Sequence, residues 1–149
     1  MDESELAALR TMYVFGPAED STWNLTYDLV ASKLRERNPE TFVSLDEKDQ
    51  GPVLGSVMHF GFTLGEETLE GMAKLSPEGI TIEDASAHTA AVFVQWLRGN
   101  IVPAGTSVSF NTEWGLEDGL PDTLVPAAPR PRLVASFLAH LENVEAMSD

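Results

Sequence analysis

Ser56 to Leu64 constrain this chain more than any other stretch. In SVMHFGFTL, Met58, Phe60, Phe62 and Leu64 share one side of an extended backbone, and Val57, His59, Gly61 and Thr63 share the other. A helical period would scatter these apolar residues around a cylinder, so a strand is required. A strand with one strongly apolar side needs a sheet around it and a second layer against it. Gly61 inside such a strand marks a candidate bulge or close contact.

Further strands are expected around it. Thr11 to Phe15 is β-rich and ends at Gly16-Pro17, and Thr41 to Leu45 alternates before a polar turn over Asp46 to Pro52. Met72 to Leu75 and Ile80 to Glu83 read as a hairpin about Ser76-Pro77-Glu78-Gly79, with Pro77 in the second position of a type I turn. Thr106 to Phe110 alternates again, whereas Gly65 to Leu69 fits either a short helix or a loop.

Three helices carry the 3.6-residue period. The first is expected from a cap at Asp20 or Ser21 to Arg37, with Trp23, Tyr27, Val30 and Leu34 on one side. The second follows Asp84 or Ser86, carries Ala90, Phe93, Val94 and Leu97, and should end at a left-handed Gly99-Asn100. The third begins near Pro131 and turns Leu133, Phe137 and Val144 inward. The order is β-α-β-β-β-β-α-β-α. Consecutive strands favour antiparallel pairing, so the expected fold is α+β: a two-layer sandwich of about six mainly antiparallel strands and three helices. At 149 residues one globular domain is expected, with residues 1–10 and 146–149 frayed.

The charge and the missing cysteines narrow the chemistry. With 24 acidic against 9 basic residues the net charge is −15, which disfavours nucleic-acid backbones and anionic membranes and favours a soluble surface or a basic protein partner. Zero cysteine excludes disulfides, thiolate nucleophiles and cysteine-held metals. The acidic start MDESELAALR does not read as a secretory signal, and no apolar run approaches the ~20 residues of a membrane span. A cytoplasmic protein is expected.

Catalytic signatures are sparse. There is no P-loop, GxGxxG or GxSxG, and His59, His88 and His140 fall at no metal-ligand spacing. His59 reads as a strand residue, His88 as a surface or capping residue, and His140 as a packed histidine. No cofactor is implied.

The long connection from Ser107 to Arg132 remains. It gathers Glu113, Glu117, Asp118 and Asp122 around Trp114, with no EF-hand alternation. Trp114, Leu116 and Leu120 either fold back over the core, or Trp114 anchors a basic partner steered by the flanking carboxylates. The leading expectation is an interaction module, with an inhibitor or immunity-type protein as one version, bound through Glu113, Trp114, Glu117, Asp118 and Asp122. A divalent-metal enzyme or small-ligand binder, and a homo-oligomer subunit, are the alternatives.

Overall fold

The computed structural model describes residues 2–48 and 55–147. Its elements run α1 (Glu3–Ala8), β1 (Thr11–Pro17), α2 (Tyr27–Arg37), β2 (Phe42–Lys48), β3 (Gly55–Leu64), β4 (Glu67–Leu75), β5 (Glu78–Ala85), α3 (Ala87–Asn100), β6 (Val108–Thr112), α4 (Glu113–Glu117), β7 (Thr123–Leu124) and α5 (Arg130–Met147). The fold is α+β. Seven strands among the described residues form one antiparallel sheet in the order β2-β3-β4-β5-β1-β6-β7.

The alternation in β3 sets the layers. Met58, Phe60, Phe62 and Leu64 are all buried, and they join Tyr13 and Phe15 of β1, Ile80 and Ile82 of β5 and Phe110 of β6 in one core. Val30 and Leu34 of α2, Phe93 and Leu97 of α3, and Leu133 and Phe137 of α5 complete it. Tyr13, Phe110 and Phe137 meet edge-on or stacked, with the Phe110 and Phe137 centroids 4.7 Å apart. The opposite sheet face, with His59, Met72, Thr81 and Val14 in register across it, stays partly exposed.

Helix α1 is capped by Asp2, whose Oδ1 accepts from the Glu5 amide at 2.9 Å, and Leu6 is buried. Several local expectations are corrected. Helix α2 starts five residues later than a Ser21 cap would place it, behind Thr26, whose hydroxyl accepts from Leu29 N. Asp20 and Asn24 have φ of 64° and 54°, which no right-handed helix permits. Donors of residues 22–25 instead find Glu78, which accepts from Thr22 Oγ1, Trp23 N (3.1 Å) and Leu25 N (2.7 Å). Trp23 is therefore a core residue outside the helix.

Strand β2 continues through the expected turn as far as Lys48; the rest of that turn lies outside the described residues. Gly65-Glu66 is a two-residue hairpin turn with Gly65 at φ +67°, neither helix nor long loop. Pairing of Leu75 with Glu78 makes Ser76 and Pro77 the central turn residues, one position away from the expected type I arrangement. Among the described strand glycines the most crowded is Gly71, not Gly61: β3 pairs without a slip at Gly61, and a Cβ there would meet only Phe42 at 3.9 Å. Helix α3 does start at Ser86, but it runs through Gly99 to Asn100, whose side-chain amide donates to Trp96 O at 2.9 Å. The left-handed glycine comes later, at Gly105.

Candidate interaction surface

Strand β6 is buried on both faces, and its last two residues organise the acidic segment that follows. Asn111 points to the open side of the sheet. Its amide donates to Leu120 O (3.0 Å) and Asp122 Oδ1 (3.1 Å), and its Oδ1 accepts from Thr112 N (2.9 Å). Thr112 caps α4: its hydroxyl oxygen accepts from Gly115 N at 3.1 Å and lies 2.9 Å from His140 Nε2 on α5. Gly115 is required at this contact, since a Cβ would press on the Asn111 amide oxygen and come within 3.0 Å of the His140 ring.

The chain is tied again beyond α4. Leu120 N donates to Gly115 O, β7 pairs with Ser109 and Phe110, and Val125 N donates to Val108 O. The Arg98 guanidinium donates to Val125 O and Pro126 O, both at 2.6 Å, and Arg130 Nε donates to Gln95 Oε1 at 2.8 Å. The long connection is therefore laid down over one end of the sheet, held at intervals of a few residues.

The residues singled out from the sequence are distributed unevenly on this segment. Glu113, Glu117, Asp118 and Asp122 are exposed, and Asp122 also accepts the hydrogen bond from Asn111. Trp114 is half-buried. Two large apolar side chains of the segment are left in water: Leu124 of β7, 60% exposed, and Leu116, half exposed, on the turn between Glu113 and Glu117. Leu116 borders a hollow of ≈ 400 Å³ on the open face, shared with Val14, Pro17, Pro77, Asn111 and Asp122. The sequence favoured Trp114 over Leu116 because tryptophan is the commoner anchor. Thr112 as a helix cap was the missed signal: placing the cap there turns Glu113 to Glu117 into helix and decides which of the two apolar residues faces out.

The histidines separate. His88 is exposed in the first turn of α3, and His59 on the open face lies 3.2 Å from Asp46 Oδ2. His140 is buried against Phe110, at a centroid distance of 4.9 Å, and burial pushes its pKa below the ordinary 6.5. In the folded protein the ring therefore stays neutral where an unfolded histidine would take up a proton. His140 contributes its full stability above pH 6.5 and loses it as the pH falls from there through the lower folded value. The expected result is a melting temperature that drops by a few degrees more between pH 7 and pH 5 in the wild type than in His140→Gln. Parallel pH profiles would exclude a role for His140 in holding α4.

Among the described residues no group of three or more histidines and carboxylates converges to hold a metal, and no helix is long and apolar enough to cross a membrane. Compared with protein-family models, with characterised proteins and with solved structures, the chain finds no match.

Proposed function

We propose that this protein is a small acidic cytoplasmic binding module that docks a basic protein partner at the α4 end of its sheet, in the manner of an inhibitor or immunity-type protein. The supporting observation is Leu116, half exposed on a helical turn that Thr112, Asn111 and His140 hold in place. An apolar side chain on an anchored turn loses little conformational freedom on binding. Exposed Glu113, Glu117, Asp118 and Asp122 surround it, and a net charge of −15 would speed encounter with a basic surface. The alternative of a divalent-metal enzyme has no comparable starting point among the described residues.

The test is affinity capture from native lysate with the wild type, Leu116→Ser and Glu117→Lys. Both positions are exposed, so the variants should melt as the wild type does. A basic protein that the wild type retains should be lost by both variants, with about tenfold weaker binding for Leu116→Ser. Its release should also be promoted by salt. Capture that is indifferent to both substitutions would overturn the proposal.

A further inference from the structure

The two edges of the sheet are built differently. At one end β7 has two residues and lies between Pro121 and Pro126, so it offers almost no ladder to another chain. At the other end β2 has seven residues and no proline, and it pairs with β3 alone. Its outward amides and carbonyls form an open ladder among the described residues. Two of the four exposed large apolar side chains of the described residues, Phe42 (64% exposed) and Leu45 (47% exposed), lie on this strand. Edge strands that avoid pairing are commonly short or interrupted by bulges, and β2 is neither: its register with β3 is unbroken from Phe42 to Lys48.

We infer that β2 is a strand-addition site, which accepts an extended segment of a partner protein in which basic and apolar residues alternate. Successive residues of an added strand point to opposite faces. On the open face they would meet Phe42, Ser44 and Asp46, and the carboxylates of Glu70 and Glu83 extend the negative potential inward around a hollow of ≈ 230 Å³ beside Phe42. Side chains on that face should be long and cationic, able to lie along the Phe42 ring and reach Asp46. On the other face they would meet Val43 and Leu45, so they should be apolar. A second copy of this chain fits poorly, because it brings another charge of −15 and a second Asp46 to the same seam. The site lies at the opposite end of the sheet from α4 and does not depend on the Leu116 contact.

The probe is an eight-residue peptide of alternating lysine and valine, compared with the same peptide N-methylated at alternate residues. Methylation keeps the charge and removes strand donors. By fluorescence anisotropy the unmethylated peptide should bind at least about tenfold tighter, as the loss of two or three strand hydrogen bonds implies. Hydrogen exchange in the full chain should slow across 42–48 when it binds. Phe42→Lys with Leu45→Lys should abolish the difference between the peptides, whereas Leu116→Ser should leave it intact. Equal binding of the two peptides, protection elsewhere than β2, or a protein dimer that binds neither peptide would overturn the inference.

Discussion

Gly71→Ala should destabilise the protein by about 3 kcal/mol, at the upper end of what overpacking costs. Gly71 lies on the core face of β4, between Phe60 of β3 and Ile82 of β5. A Cβ there would sit 2.6 Å from Phe60 Cζ and closer still to the Thr81 carbonyl oxygen. The ring is buried among neighbours with little room to turn, and the carbonyl belongs to the adjacent strand, so backbone has to move. For a chain of this size the melting temperature should fall by roughly 6 to 12 °C. Phe60→Leu in the same molecule removes the ring but not the carbonyl, so the double variant should recover part of the loss, with a coupling of about 0.5 kcal/mol or more. Gly99→Ala is the control: nothing lies within 4 Å of its Cβ and it sits inside α3, so it should gain about 0.5 kcal/mol. Additive effects of Phe60→Leu and Gly71→Ala would rule out the ring as the obstacle.

Glu78→Ala should cost about 2 kcal/mol, because one carboxylate takes hydrogen bonds from Thr22 Oγ1, Trp23 N and Leu25 N. Partial exposure of the site lets water replace some of these bonds and keeps the loss below their sum. Burial pushes the Glu78 carboxyl up, but the bonds from Thr22, Leu25 and Trp23 outweigh it, and its pKa lies below the ordinary 4.5. The unfolded chain therefore takes up this proton first as the pH falls. The stabilisation is complete above pH 4.5 and is lost as the pH falls from there through the lower folded value. Glu78→Gln keeps one acceptor and should lose about half as much at pH 7, with no acid-dependent loss of its own. Trp23 reports the site directly. Its indole donates to Ser107 O at 3.3 Å, so near-ultraviolet dichroism should change in Glu78→Ala before global unfolding. An unchanged tryptophan signal would mean that residues 22–25 hold their path without the carboxylate.

These two sites also show how far the sequence could be read. Alternation in Ser56–Leu64 identified the buried face of β3 residue by residue, because a period of two is a local property of extended backbone. Ser86 was legible as a cap for the same reason. Gly71 and Glu78 were not. The crowding at Gly71 comes from two strands paired beside it, and the donors that Glu78 collects, one hydroxyl and two amides, lie 53 to 56 residues away. Propensity favoured a helix from Ser21, but the positive φ of Asn24 and the competing acceptor prevented it.

The acidic segment divides along the same line. Its composition alone made Glu113, Glu117, Asp118 and Asp122 a candidate surface, and the structure leaves all four exposed. Which apolar residue accompanies them was decided by Thr112, Asn111 and His140, contributed by β6 and α5. Taken by itself, the sequence determined the charge, the strand and helix periods and the two-layer α+β class, all of which follow from residue type and near-neighbour spacing. Tertiary structure decided the order of the strands, the open edge at β2 and the outward turn of Leu116. Each of these depends on pairing between distant segments, and no local pattern encodes which partner wins that competition.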